Sequence, residues 1–156
     1  MKEERIIAKC ALSKDKYEHT KSVVGLCKYF AEILDLENKK ILVNAAWLHD
    51  IGKSIDNEKH NEKDIVLSVL ESYEYHKKSI DDICSIIENH KGKFVPKKFI
   101  LESAILRMCD KIDKIGEKGA RKKCKKNLIK IMEYITDKVK SRETELFYLA
   151  SIRFIQ

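Results

Sequence analysis

Three of the five histidines fall where apolar side chains recur at helical spacing. His19 lies four residues before Val23 and seven before Leu26, on the apolar face of its segment. His90 follows Ile83 and Ile87 at spacings of seven and three. His49 ends the most apolar run in the chain, from Ile41 to Leu48, and Asp50 follows it directly. Burying such a group without a partner costs roughly 2 to 7 kcal/mol, and an ionised carboxylate costs more. A lone histidine on an apolar face is ordinarily satisfied by a hydrogen bond in the core. Three of them with an adjacent aspartate call for a shared partner, and one divalent cation would satisfy them together. Imidazole and carboxylate form a ligand set suited to Mn, Fe, Zn and related ions. Asp110 interrupts the apolar stretch Ile105 to Ile112 and supplies a fourth candidate ligand, with Asp113 one turn on. The competing reading makes both aspartates solvated carboxylates paired with Lys111, Lys114 or Lys118.

These side chains need helices to carry them. The chain has 156 residues, one proline and five glycines. Apolar residues recur at helical spacing nearly throughout, and strand-type alternation is absent. The pattern predicts helices over about 16–34, 37–49, 60–73, 80–90, 97–115, 122–138 and 142–154. It predicts loops over 51–59 and 91–96, and a turn or helix irregularity at 116–119, where glycine or proline punctuates. The expected architecture is a single all-α domain spanning 1–156. Hydrophobic residues make up 44% and charged residues 37%, which suits a folded globule. Five widely spaced cysteines with no C-x-x-C read as reduced, mostly structural thiols of a cytoplasmic protein. No leader peptide and no membrane-spanning stretch is expected.

The net charge of +7 favours anionic partners without choosing among them. The cluster Arg121 to Lys126 has no interleaved aromatic residue and opens an amphipathic segment. It therefore reads as a solvated helix end before a nucleic-acid patch. Leu146, Phe147, Leu149, Ile152 and Phe154 would close the bundle or form a homodimer contact. His76 reads as a surface residue.

The order His19, His49-Asp50, Asp110 resembles the H…HD…D signature of the HD-domain phosphohydrolase superfamily. The flank AAWLHDIGK resembles its usual apolar run into HD, and the resemblance covers about Tyr17 to Arg121. It implies a bundle of about six to eight helices holding one or two divalent ions (Mn, Fe, Mg, Co, Ni or Zn), and hydrolysis of phosphate esters or anhydrides. The metal ligands implied are His19, His49, Asp50 and Asp110. Such an ion can bring the pKa of bound water down to about 7 and neutralise phosphoryl charge.

Some subfamilies, including the symmetric diadenosine tetraphosphate hydrolases, place two further histidines between HD and the last aspartate. His60 and His90 fit that plan as ligands of a second metal, which Asp50 would bridge. The stretch CDKIDKIGEKGAR, Cys109 to Arg121, is similar to the bacterial HD-domain nucleotide pyrophosphatases. That similarity implies a water-positioning or ligand-supporting role for Asp113 and phosphate binding by Arg121, with the backbone at 116–119 near substrate. Lys53, three residues after the HD pair, would bind phosphate as a point charge and complete a catalytic set with Asp50 and Asp113. Lys91 and Lys93 would line the same cleft. The chain departs from the pyrophosphatase pattern in carrying Cys109 where alanine is usual, and in a shorter, more basic loop after HD.

The implied activity is that of a metal-dependent phosphohydrolase acting on a small anionic nucleotide. Nucleoside triphosphate pyrophosphohydrolysis comes first, then symmetric dinucleoside polyphosphate cleavage or 5'-nucleotidase activity. A non-enzymatic nucleotide- or RNA-binding module is the alternative of another class.

Overall fold

The computed structural model describes residues 3–52, 62–91 and 95–114. Six helices occur among them: α1 (Glu3–Ala11), α2 (Lys14–Ile33), α3 (Lys39–Leu48), α4 (Glu62–Ser72), α5 (Lys77–Ile87) and α6 (Ile100–Asp113). No strand occurs among the described residues, so the fold is all-α as expected. The helices expected over 122–138 and 142–154 lie outside the described residues, as do Lys93, Lys118, the turn at 116–119 and the cluster Arg121 to Lys126.

The fold is organised around α3, whose residues from Leu42 to Leu48 are all buried. A helix apolar on every side must be enclosed. Helices α2, α6, α5 and α1 supply that enclosure. From α2 come Val23, Cys27 and Phe30, and from α6 come Ile105, Leu106 and Met108, all fully buried. Trp47 stacks on Tyr17 with ring centroids 6.0 Å apart, which ties the end of α3 to the start of α2. The last turn of α3 is thereby held beside both neighbouring helices, and His49 with Asp50 follows at that point.

Helix ends differ from expectation for a common reason. The expected boundaries put α2 through Leu34 and α4 through Tyr73. Each helix ends one residue sooner, at Ile33 and Ser72, and two residues further on the backbone turns through a non-glycine residue in the left-handed region, Asp35 at φ 46° and Glu74 at φ 56°. In each case the backbone closes a 6→1 hydrogen bond, Leu36 N to Ala31 O at 2.9 Å and Tyr75 N to Leu70 O at 3.1 Å. No glycine marks either stop. Helix α5 starts three residues earlier than expected because His76 caps it, its Nδ1 accepting from the Lys78 amide. It ends at Ile87, so His90 stands beyond the helix rather than on it. Helix α1, which the apolar spacing did not announce, packs Ile7 and Ala8 against α3.

Cys27, Cys84 and Cys109 are buried free thiols and Cys10 is exposed; Cys124 lies outside the described residues. Burial pushes the Cys84 thiol up to about 11. Burial, then the neighbouring Cys27 thiol, raises Cys109 as well, so both side chains serve as packing groups.

Candidate metal centre

His49 caps α3 with helical backbone angles, φ −61° and ψ −23°. Its ring is fully buried. Nδ1 lies 2.7 Å from the Ala46 carbonyl oxygen. A carbonyl only accepts, so Nδ1 carries a proton, and Nε2 is the ring nitrogen turned toward the carboxylates. That Nε2 is buried and has no hydrogen-bond partner among the described residues. It lies 3.6 Å from Asp50 Oδ1 and 3.8 Å from Asp110 Oδ1, too far for a hydrogen bond to either.

His90 repeats the arrangement. Its Nδ1 donates to Ile87 O at 2.6 Å, and its Nε2 lies 3.8 Å from Asp50 Oδ1. Burial, together with the neighbouring His49, pushes its imidazole down to about 3, so the ring is neutral near pH 7. The His49 and His90 rings meet edge to face with centroids 5.3 Å apart.

His19 enters from α2. Its Nε2 is 3.2 Å from Asp110 Oδ1 and 3.8 Å from Asp50 Oδ2. Its Nδ1 is 2.5 Å from Asp113 Oδ2, and the Ser22 hydroxyl donates to the other oxygen of that carboxylate. The hydrogen bond to Asp110 raises the His19 pKa against the opposing effect of burial, and Asp113 adds to the rise.

Asp110 is buried on α6 and also receives Lys111 Nζ at 2.8 Å and Lys114 Nζ at 2.7 Å. Burial alone would raise its pKa. Contacts with His19, His49 and the two lysines hold it well below the usual carboxylate range.

His19, His49 and Asp110 each offer a ligand atom, and these atoms lie within 4.8 Å of one another. Asp50 borders the same space through its contacts with His19, His49 and His90. The donor set fits a divalent cation. It contains a buried imidazole nitrogen with no hydrogen-bond partner among the described residues, imidazoles whose far nitrogens are fixed by carbonyl or carboxylate, and anionic oxygens between them.

A family profile described as HD domain matches residues 17–115, well over half of the chain. The chain belongs to the HD domain family. Neither the curated proteins nor the solved structures yield a match. HD domains bind divalent metals and are in general metal-dependent phosphohydrolases. His19, His49-Asp50 and Asp110, the residues expected to form the signature, all lie inside the matched span, and the fold brings the four together.

The remaining expected site residues are placed less uniformly. Asp113 supports His19 from behind. Lys91 stands exposed in the loop that follows His90. Lys53, His60 and Arg121 lie outside the described residues. A cleft of about 980 Å³ opens beside His90 and is lined in part by Lys63, Glu88, Lys91, Lys97 and Lys98. That volume is in the range of small-molecule sites.

Two residues of the site were not singled out from sequence. Ser22, one turn beyond His19, fixes Asp113. Arg107, one turn before Asp110, donates from Nη1 to the carbonyls of Asn89 at 3.1 Å and Lys91 at 3.3 Å. It thereby clamps the backbone on both sides of His90 to α6. The signal for Ser22 is its polar side chain on the His19 face. Arg107 carries a comparable signal as a charge within an apolar helix stretch. Among the described residues, no helix is long and apolar enough to cross a membrane.

Proposed function

We propose that the chain is a metal-dependent phosphohydrolase of small nucleotides, first of all a nucleoside triphosphate pyrophosphohydrolase. The observation that carries this reading is the buried Nε2 of His49, without a hydrogen-bond partner among the described residues, facing the adjacent Asp50 together with a carboxylate and a second imidazole from two other helices. In this reading His19, His49, Asp50 and Asp110 hold the ion, and His90 with His60 serves a second one. When bound, the ion supplies Lewis acidity and offsets phosphoryl charge.

The chain's own groups do the rest. Asp113 holds the Nδ1 proton of His19 and so aims Nε2 into the site, with Ser22 fixing the carboxylate. The backbone bonds of His49 and His90 set their tautomers in the same way. Asp50, which lies within 3.8 Å of three imidazoles, would be the shared carboxylate if a second ion bound. Lys53 and Arg121 bind phosphate in this reading. Lys91 lines the cleft beside His90, where the nucleoside portion would rest. The domain is taken as a single unit over 1–156 acting in the cytoplasm on a small anionic nucleotide, with no membrane partner and with a nucleic-acid partner as the less favoured alternative.

His90 beside His49 also supports the symmetric dinucleoside polyphosphate reading, because that plan needs a second metal site. Product analysis separates the alternatives. Full-length protein loaded with Mn, Co or Fe is incubated with nucleoside triphosphates, dinucleoside tetraphosphates and nucleoside monophosphates. Release of pyrophosphate from triphosphates supports the first choice. Nucleoside diphosphates alone, or free phosphate from monophosphates, would replace it with the corresponding alternative. No cleavage of any of them would defeat the enzyme reading.

A further inference from the structure

Asp110 is held by more cations than its burial requires. Lys111 Nζ takes Oδ2 at 2.8 Å, and Lys114 Nζ takes Oδ1 at 2.7 Å. Oδ1 is also the oxygen that faces His19 Nε2 at 3.2 Å and His49 Nε2 at 3.8 Å. It is therefore the oxygen an ion shared with both imidazoles would use. An ammonium and a divalent cation on one carboxylate oxygen repel strongly at that range. Lys114 is equipped to leave. It caps the end of α6, its side chain is 30% exposed, and its four-carbon stem gives the ammonium several rotamers to occupy. An ammonium released at the edge of the metal centre remains within reach of any anion bound there.

We propose that Lys114 is a stand-in cation. It neutralises Asp110 until a divalent ion arrives, yields Oδ1 to that ion, and then binds a phosphoryl oxygen of the substrate. This inference rests on the metal reading given above and assigns an anion-binding role to a residue outside the HD signature.

The test uses full-length protein and two titrations followed by calorimetry: Mn²⁺ alone, then inorganic phosphate into the Mn²⁺-loaded protein. Lys114→Met should bind Mn²⁺ roughly tenfold more tightly than wild type, since a competing positive charge has gone. The same variant should bind phosphate roughly tenfold more weakly, having lost a charge-assisted contact. Lys114→Arg, which keeps the charge, should restore phosphate binding to near wild type. Lys111→Met should gain less Mn²⁺ affinity than Lys114→Met, because Lys111 occupies the other oxygen. Lys114→Gln repeats the measurement with a polar side chain suited to a helix end. Unchanged or weakened Mn²⁺ binding in the Lys114 variants overturns the inference, and so does unchanged phosphate binding. Wild type that takes up Mn²⁺ while Lys114→Met gains nothing overturns this inference alone. Wild type that takes up no Mn²⁺ overturns it together with the metal reading.

Discussion

Asp82 and Asp110 are both buried carboxylates gripped by two lysines, and the contrast between them separates a structural clamp from a site. Asp82 receives Lys78, four residues earlier on α5, at 2.9 Å and Lys98 at 3.0 Å. Those lysines are 79% and 51% exposed, so the pairs sit at a water boundary. Burial raises the Asp82 pKa, and the two lysines more than reverse it. No imidazole joins that cluster in its ion pairs. Around Asp110 the lysines are only 23% and 30% exposed, and two histidines lie behind them. One of those histidines keeps a buried ring nitrogen with no hydrogen-bond partner among the described residues. A local pairing satisfies its carboxylate; the convergence of residues 19, 49, 50 and 110 leaves donor capacity over. That surplus is what a cation would take up.

The largest effect expected from this contrast belongs to His49→Ala. It should reduce metal affinity by well over the roughly 10- to 100-fold that losing a mere supporting partner costs. Catalytic activity should go with it, while the helical circular dichroism stays. Retained metal affinity would place the ion elsewhere. Asp113→Asn comes next, because it removes the carboxylate that orients His19. Metal affinity should fall roughly 10- to 100-fold, read by calorimetry, with Ser22→Ala weaker in the same direction.

Arg107→Met should cost about 2 kcal/mol of unfolding free energy, from lost charge-assisted bonds to the loop carbonyls. Amide exchange around His90 should quicken as well, whereas an intact loop would show that the clamp is unnecessary. Asp82→Asn should be the mildest, at or below about 1 kcal/mol, because solvent screens its lysines. Its effect also has a pH sign. The folded pKa of Asp82 is lowered, so its contribution is present above the unfolded value of about 3.9 and is lost as pH falls through the lower folded value. The wild type should therefore lose its advantage over Asp82→Asn on the acid limb, and metal binding should not change. A metal defect in this variant would erase the contrast between the two carboxylates.

Much of the fold and of the site can be read from the sequence, for physical reasons. The apolar period of α2, α3 and α6 is strong because each faces the core, so their existence and inner faces are legible. His19 and His90 stand out because a polar group on such a face needs a partner. What escapes is set by pairings distant in sequence or by backbone geometry. The His19–Asp113 bond joins residues 94 apart, and no local spacing announces it. Arg107 reaches carbonyls 16 and 18 residues earlier, which carry no side-chain signal. The stops at Ile33 and Ser72 turn through Asp35 and Glu74 in the left-handed region without glycine, so the usual stop signal is missing. His90 was expected on α5, but that helix ends at Ile87, and the Arg107 clamp together with the Ile87 carbonyl turns the ring toward Asp50. The pairing of Asp110 with Lys111 and Lys114 was the competing reading of that residue. The lysines are indeed there, yet the carboxylate they hold is buried among imidazoles rather than solvated.

The most direct measurement is the metal content of full-length protein purified without oxygen and equilibrated with excess Mn²⁺, read by elemental analysis after gel filtration. One or two equivalents of divalent metal per chain are expected, falling to none when His19, His49 and Asp110 are all replaced by alanine in a protein that still folds. A wild-type chain that retains no metal, or a triple variant that retains as much, would contradict the account.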